Sequence, residues 1–352
     1  MHVKALGAAA LMTACLAFAG EAAAKTLTFA EFGPNRGTRA EALQWFADEL
    51  DARSKGELKI EFFWGKSLLG TKAVLQGVAD GVADMGSVIG FFTPKELRAY
   101  NIGDLPVANS DVWVGMRALY DLASHHPVFL EEFDAANVVY ISNYSTGPIQ
   151  LVCTTKIETL EQLSGKKIRG SGPYGKTLAA LGGEVVRMPQ GDVYQALDSG
   201  LVDCNQNYYY SMKAYKQYEV ASFVLELDWG QNMSFGIIMN KQSFESLSDD
   251  ERKLLHGVAS DFVDHFAKAM IESQVADKAE MEAGIDGKSI TVTLLSPEER
   301  KALLAKSDEQ IDAWKNDANG EGLDGAAIMK AYDAAVAKYA KEKDEKGYPW
   351  AR

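Results

Sequence analysis

Short apolar strands alternate with amphipathic helices early in the chain, and this alternation constrains the fold more than any other sequence feature. Residues 26–30 and 58–63 have strand character, and residues 39–54 between them repeat apolar side chains at helical spacing. A second helical pattern over 71–80 leads into a short strand over 84–89. Strands and helices in this order indicate α/β layers built on a largely parallel sheet.

A second α/β set begins near Val138 and gives way to long helices. Its expected strands cover 138–141, 149–153, 167–169, 184–187, 223–227 and 235–239. Ser248 is the expected N-cap of a helix that runs to about Ala283, and a final helix covers 326–339. The chain has 352 residues, enough for about two domains of ~150 residues each. Two α/β lobes followed by C-terminal helices suit a binding cleft.

The N-terminus has the order of basic, apolar and small residues that marks a secretory signal peptide. Lys4 precedes an apolar stretch over 5–20, and Ala22-Ala23-Ala24 is a small-residue cleavage site. A buried helix and a lipoprotein cleavage before Cys15 are weaker alternatives. We therefore predict a signal peptide over 1–24 and export, to a bacterial periplasm.

The charge balance excludes several functional classes. The chain has 36 Lys and Arg against 49 Asp and Glu, a formal charge of -13. Nucleic-acid binding needs clustered Lys and Arg, so no nucleic-acid partner is expected. Beyond the N-terminal segment no run of roughly 20 apolar residues predicts a transmembrane helix. Export would leave two cysteines, Cys153 and Cys204, which could form a disulfide or remain two buried thiols.

Residues 170–177 match the phosphate-binding loop G-x-x-x-x-G-K-[ST] between an expected strand and an expected helix. In such a loop Lys176 would reach the outer phosphates and Thr177 would hold Mg²⁺. An NTPase is nevertheless disfavoured. The chain is expected to be exported, the match lies deep in the sequence, and Pro173 removes one of the amides that the loop needs.

No catalytic or metal-binding constellation stands out. His256 and His265 are nine residues apart and cannot form an i, i+4 metal pair, and neither mature cysteine has metal-ligand spacing. No G-x-S-x-G elbow is present. These observations favour a binding protein without cofactor or metal over an enzyme, with a secreted hydrolase as an alternative.

Polar and aromatic residues follow expected strand ends, where open α/β sheets bind ligands. Phe91, Tyr208 and Trp229 lie at such positions, although ordinary packing explains each of them equally well. Arg169 ends the strand over 167–169, and a guanidinium there suits two-bond capture of a carboxylate. An exposed ion pair is the alternative for Arg169. The aromatic residues would accommodate an apolar portion of a ligand, or a cation on their π faces.

Several spaced motifs resemble those of one protein family. They are Leu160-Glu-Gln-Leu-Ser-Gly-Lys-Lys-Ile-Arg169, Leu181-Gly-Gly183, Asp192-Val-Tyr-Gln-Ala-Leu197, Gly200-Leu-Val-Asp203, Gly81-Val-Ala-Asp-Met85 and Asp104-Leu-Pro106. Their order is similar to that in the solute-binding proteins of TRAP transporters, the extracellular solute-binding proteins of family 7. The resemblance covers essentially the whole mature chain.

This resemblance implies a two-lobed periplasmic binding protein with a hinge and a ligand cleft. Lobe I would comprise 25–146 and 236–275, and lobe II would comprise 147–235 and 276–340 with the C-terminal helices. A charged, fraying tail would follow over 341–352. The implied function is capture of a small organic acid, carboxylate or sulfonate, and its delivery to an ion-driven TRAP membrane permease. The receptor of an ATP-coupled importer is the alternative, and the protein would be a monomer or a homodimer.

The resemblance also suggests site residues. Arg169 stands at the arginine that usually pairs with the ligand carboxylate, and Asn207 stands at a ligand-contacting asparagine. The full set of expected ligand-binding residues is Arg169, Asn207, Gln206, Tyr208, Trp229, Gln150, Phe91 and Asn35. We expect an open cleft that leaves Arg169 solvated.

Two departures from the family pattern bear on the ligand. Gln206 replaces a carboxylate. Ile149, beside Gln150, stands where the sialic-acid branch has a second arginine. A ligand that needs two cationic clamps, such as a sialic acid, is therefore disfavoured.

Overall fold

Two β-sheets organise the protein, and the computed structural model describes residues 24–352. The strands are β1 (Lys25–Ala30), β2 (Leu58–Phe63), β3 (Met85–Ile89), β4 (Val138–Tyr144), β5 (Pro148–Cys153), β6 (Lys167–Arg169), β7 (Glu184–Val186), β8 (Cys204–Asn207), β9 (Phe223–Gln231), β10 (Phe235–Asn240) and β11 (Thr291–Leu294). The helices are α1 (Thr38–Arg53), α2 (Val74–Ala79), α3 (Val112–His125), α4 (Pro127–Ala135), α5 (Gly172–Ala180), α6 (Val193–Asp198), α7 (Tyr209–Ala214), α8 (Lys241–Glu245), α9 (Asp249–Ala283), α10 (Pro297–Gly320) and α11 (Gly325–Lys346).

Both sheets are mixed, whereas the sequence predicted a largely parallel sheet. The first sheet has the order β2-β1-β3-β10-β4, and β10 runs antiparallel to both of its neighbours. The second has the order β11-β9-β5-β8-β6-β7, and β5 runs antiparallel to β8 and β9. The antiparallel pairs arise because β5 and β10 enter their sheets directly from the other lobe. Parallel neighbours would need a helical crossover.

The two α/β lobes expected from the sequence are confirmed, and two strand-like crossovers join them. One leads from β4 to β5 and the other from β9 to β10. They are hydrogen-bonded to each other. The Thr146 amide donates to the Asn232 carbonyl at 3.0 Å, and the Asn232 amide donates to Thr146 Oγ1 at 3.1 Å. The predicted boundary at 146/147 falls in the first crossover, the one at 235/236 falls just inside β10, and the one at 275/276 falls within α9. The division into domains stays a prediction.

The second lobe contains a disulfide. Cys153 of β5 and Cys204 of β8 are direct cross-strand partners and are bonded to each other. The structure thus decides between the two alternatives that the sequence left open. A disulfide is typical of an oxidising compartment, in agreement with the expected export.

The long C-terminal helices predicted from the sequence are confirmed, and they connect the lobes. Ser248 and Glu251 form a reciprocal capping box at the start of α9. Helix α10 packs on α5 of the second lobe, while α11 packs on α3 of the first. The indole N–H of Trp314 in α10 donates to the Arg98 carbonyl of the first lobe at 3.1 Å.

The prediction of a frayed tail over 341–352 is wrong. Helix α11 continues to Lys346, and the residues after it fold back onto the first lobe. The Tyr348 hydroxyl donates to Asp111 Oδ2 at 2.9 Å, and Lys343 pairs with the same carboxylate at 3.0 Å. The Tyr348 ring also lies edge-on to Trp113. Aromatic packing therefore holds a segment whose charge pattern alone indicated fraying.

The signal peptide predicted over 1–24 lies outside the described residues except for Ala24. Among the helices within 24–352, none is long and apolar enough to cross a membrane.

Candidate functional site

A cavity of about 330 Å³ lies between the two lobes. The first lobe contributes the loop after β1, the turn after β2 and the segment after β3. The second lobe contributes the end of β6, the loop after β7 and the region around α7. The lining residues are Phe32, Pro34, Arg36, Arg39, Gly65, Lys66, Thr71, Lys72, Ile89, Phe91, Phe92, Arg169, Ser171, Pro189, Gln190, Gly191, Gln206, Tyr208, Tyr210, Ala214, Tyr215, Asn232 and Phe235.

Arg169 is buried in this cavity without a counter-charge. It is 7% exposed, so the expectation of a solvated guanidinium is wrong. Its Nε donates to the Met188 carbonyl at 3.1 Å, which orients the side chain. No carboxylate of residues 24–352 lies within 4 Å of it. Burial lowers the pKa of Arg169 below its ordinary value because the charged form is desolvated.

Gln206 lies beside Arg169 and presents a hydrogen-bond donor. It is 3% exposed, and its Oε1 accepts the backbone N–H of Ser171 at 3.0 Å. Because a backbone N–H can only donate, the amide oxygen must face Ser171 and Nε2 is left for other partners. Among the described residues no acceptor is hydrogen-bonded to Nε2. Gln206 therefore adds an unused donor to the wall that holds Arg169.

A second arginine, Arg39 in the first turn of α1, reaches the cavity from the first lobe. It is buried and forms an ion pair with the fully buried Glu31. Burial alone would lower the pKa of Arg39, but Glu31 and neighbouring tyrosines outweigh it and raise this pKa above its ordinary value. Gly33 makes the arrangement possible, since a Cβ there would lie 1.8 Å from the guanidinium. The charge of Arg39 is thus already compensated.

Three phenols complete the second lobe's wall. They belong to Tyr208, which precedes α7, Tyr210 in its first turn, and Tyr215, which follows it. Burial raises the pKa of each of the three above its ordinary value. All three are therefore protonated at neutral pH and can donate hydrogen bonds.

The cavity lining is positively charged, although the net charge of the chain is -13. Among the described residues, the lining contains no acidic side chain. It contains five basic ones: Arg36, Arg39, Lys66, Lys72 and Arg169. The two arginines Arg39 and Arg169 are buried, whereas the other three are exposed at the rim. This composition favours an anion in the cavity and provides no carboxylate for a ligand cation.

The structure brings together four of the eight predicted site residues: Arg169, Gln206, Tyr208 and Phe91. Asn207 is buried behind the wall, where its Oδ1 lies 3.3 Å from Nε2 of the lining residue Gln190. Gln150 is fully buried and bonds Asp228 and the Leu227 amide.

The other two predicted residues lie away from the cavity. Trp229 is in the core, packed edge-on against Tyr174 and donating to Ser307 at 2.8 Å. Asn35 is exposed and does not line the cavity.

Several lining residues were missed by the sequence reasoning. Arg39 lies within the helical repeat of 39–54, and no local pattern predicts its pairing with Glu31. Asn232 is 5% exposed and lies in the crossover before β10. The signal available in the sequence is an amide side chain in the segment between two expected strands. Gln190 begins a short 3-10 turn and Tyr215 follows the end of α7, and no sequence pattern marks either residue as part of a site.

The phosphate-loop match does not form a nucleotide site. Thr177, which would hold Mg²⁺, is fully buried, and its hydroxyl donates to the Pro173 carbonyl at 3.2 Å. Helix α5 already begins at Gly172, and the Gly175 amide donates to the Ser171 carbonyl at 3.0 Å, so this part of the motif is helical and is not an open phosphate loop. Across 24–352, no group of three or more His, Cys, Asp or Glu is arranged to hold a metal ion.

The comparison with known families decides the class of the protein. The model of bacterial extracellular solute-binding protein, family 7, matches residues 29–317. The chain belongs to this family. Family 7 proteins are solute-binding receptors, so this one is a receptor and not an enzyme.

Curated relatives are distant. A solute-binding protein of Albidiferax ferrireducens is 28% identical over 226 residues, which cover 61% of this chain and 64% of the relative. The chain thus spans just under two thirds of that relative's length. The 2,3-diketo-L-gulonate-binding periplasmic protein of Escherichia coli is 24% identical, with 93% of this chain and 95% of the relative covered.

Solved structures confirm the two-lobed binding-protein fold with long C-terminal helices. A TRAP periplasmic solute-binding protein of Desulfovibrio salexigens is 26% identical, with a TM-score of 0.78 over 92% of this chain and 97% of the other. A TRAP solute-binding protein of Rhodoferax ferrireducens, in complex with copurified benzoate, is 23% identical, with a TM-score of 0.80 over 90% and 99% of the two chains.

Proposed function

We propose that this protein is the periplasmic receptor of a TRAP transporter. It captures a small organic acid at Arg169 and delivers it to the membrane permease. The observation that carries the proposal is the buried Arg169 guanidinium, which has no carboxylate partner among the described residues, in a cavity with no acidic lining residue.

Electrostatics explains why an anion binds here. A buried charge without a partner is costly, and a ligand carboxylate relieves this cost by two parallel hydrogen bonds to the guanidinium. The Nε of Arg169 donates to the Met188 carbonyl, and within residues 24–352 no acceptor is hydrogen-bonded to its Nη atoms, which remain available to a ligand. Gln206 Nε2 supplies a further donor beside it. Closure of the lobes excludes water and strengthens these bonds.

The ligand carries one negative charge in the buried part of the cavity. Arg39 is the other buried cation, and Glu31 already neutralises it. A second carboxylate beside Arg39 would meet the Glu31 charge as well. A monocarboxylate with an uncharged body fits the aromatic walls formed by Phe32, Phe91 and Phe235.

Related proteins support this ligand class. Solved structures with TM-scores of 0.79 and 0.80 contain mandelate and benzoate, both monocarboxylates with an aromatic ring. Other relatives are named for ectoine and for C4-dicarboxylates, so the family is not limited to one ligand. Of the two buried arginines in this cavity, only Arg169 has an uncompensated charge, so a monoanion is the best match for this chain.

A ligand panel tests the proposal. Purified protein without the N-terminal 24 residues is titrated calorimetrically with benzoate, mandelate, succinate and the cation choline. We expect the monoanions to bind and choline not to bind, with succinate at least tenfold weaker than the best monoanion. Binding of choline alone, or of no organic acid in a broader panel, would contradict the proposal.

The transporter assignment needs a separate experiment. Deletion of the genes for TRAP membrane subunits in the host should abolish uptake of the ligand, whereas deletion of ATP-binding subunits should not. The opposite result would assign the receptor to an ATP-coupled importer.

A further inference from the structure

A second, larger cavity lies next to the ligand cavity. It has a volume of about 750 Å³, and its walls come from α10, the segment between β3 and α3, the first turns of α5 and the loop after β7, together with Lys72. The two cavities share five lining residues: Lys72, Phe91, Phe92, Ser171 and Pro189. We refer to them as the inner and the outer cavity.

Phe91 belongs to this shared wall and reaches across the lobe boundary. It belongs to the first lobe, and its side chain packs against Gly172 of the second. A Cβ placed on Gly172 would lie 3.4 Å from the Phe91 Cβ, and Gly172 has a φ of +57°, which favours glycine. A Cβ at position 172 would thus make only an ordinary van der Waals contact with Phe91, and it is the backbone conformation that favours glycine there.

A backbone hydrogen bond and a neighbouring aromatic ring hold Phe91 in position. Its backbone N–H donates to Oδ2 of the fully buried Asp104 at 3.2 Å, and the same carboxylate accepts the hydroxyl of Ser234 in the lobe crossover. The Phe91 ring packs edge-on against Phe92, with the ring centroids 4.6 Å apart. The Phe91 side chain in the shared wall is therefore held by specific contacts.

We propose that Phe91 sets the maximum length of the ligand by separating the inner cavity from the outer one. The proposal rests on the proposed function, because it assumes an acid anchored at Arg169. With the wall in place, the body of the acid must fit within the inner cavity. Without the Phe91 ring, the acid can extend into the outer cavity, where Trp314 offers an apolar surface.

A series of straight-chain carboxylates from acetate to decanoate measures this limit. In the wild-type protein each added methylene buries more apolar surface and increases affinity, until the inner cavity is full and affinity falls. In Phe91→Ala the maximum should move to longer acids by several methylenes. The affinity for decanoate should rise roughly 10- to 100-fold, since burial of each additional methylene contributes about fourfold.

Phe32→Ala is the matched control. Phe32 lines the inner cavity but not the outer one, so its removal widens the inner cavity without joining the two. In Phe32→Ala the acid length that binds most tightly should shift by about one methylene at most. Phe91→Leu should give an intermediate limit, and it provides a test if Phe91→Ala does not fold.

The outcomes separate the two proposals. If the acids bind and Phe91→Ala and Phe91→Leu both keep the wild-type length profile, the role of Phe91 is refuted while the receptor function stands. An equal shift in Phe32→Ala would also refute it, because widening alone would then explain the effect. If no acid of this series or of the ligand panel binds the wild-type protein, the proposed function itself fails.

Discussion

Each lobe places one buried arginine in the cavity, and the two differ in what faces them. Arg39 of the first lobe is paired with Glu31. Arg169 of the second lobe has no carboxylate partner in the described part of the chain. The charge of Arg39 is compensated within the protein, whereas the charge of Arg169 is compensated only when an anionic ligand binds. Burial of an arginine therefore does not identify a binding residue unless its counter-charge is also examined.

Removal of the Glu31 charge should have the largest effect. Glu31→Gln leaves Arg39 buried without its partner, and breaking a buried ion pair costs about 3–5 kcal/mol. Chemical denaturation of the unliganded protein should show a loss of this order. Glu49→Gln is the control, since Glu49 pairs with Arg53 at the surface of α1 and such pairs contribute ~1 kcal/mol or less. An equally small loss in both variants would mean that Glu31 does not compensate Arg39.

Removal of Arg169 should weaken ligand binding. Arg169→Ala should weaken the binding of the best monoanion by about 2–5 kcal/mol, roughly 30-fold to several thousand-fold. Arg169→Lys should also lose affinity, because an ammonium cannot form the planar two-bond contact. Lys176→Ala is the control, since Lys176 is exposed on the outer cavity. Calorimetry that finds Lys176 essential and Arg169 dispensable would reverse the assignment.

The smallest effect concerns the stability of the unliganded protein. An uncompensated buried charge is unfavourable, so Arg169→Met should raise the free energy of unfolding by about 1 kcal/mol while binding is lost. Arg187→Met is the control, because Arg187 is exposed and should change stability by ~0.5 kcal/mol or less. A clear destabilisation by Arg169→Met would contradict the view that the charge of Arg169 is uncompensated in the unliganded protein.

The sequence predicted the elements better than the partners of individual side chains. The capping box at Ser248 and the long helix after it follow from local spacing, and both are present. Arg169 was found because it ends a strand in a recognisable motif. The pairing of Arg39 with Glu31 depends on the loop between β1 and α1, whose path no local pattern specifies.

The errors in the site have a similar origin. The strand that contains Trp229 was expected to end at residue 227, but β9 runs to Gln231. Trp229 therefore lies within the strand and packs into the core, although its position after a strand end was the reason for choosing it. Gln150 likewise lies in the middle of β5, where its side chain bonds the neighbouring strand instead of a ligand.

The hydrogen bond between Trp314 and the Arg98 carbonyl has a practical consequence. Trp314 belongs to a helix packed on the second lobe, and its bond partner belongs to the first. The indole itself is buried among first-lobe side chains, so a rotation that moves α10 with the second lobe would change its surroundings. Indole emission depends on hydrogen bonding and polarity. The chain has six tryptophans, so the signal of Trp314 is the part of the emission that Trp314→Phe removes. If that part changes on ligand addition, it follows lobe closure in real time without a label.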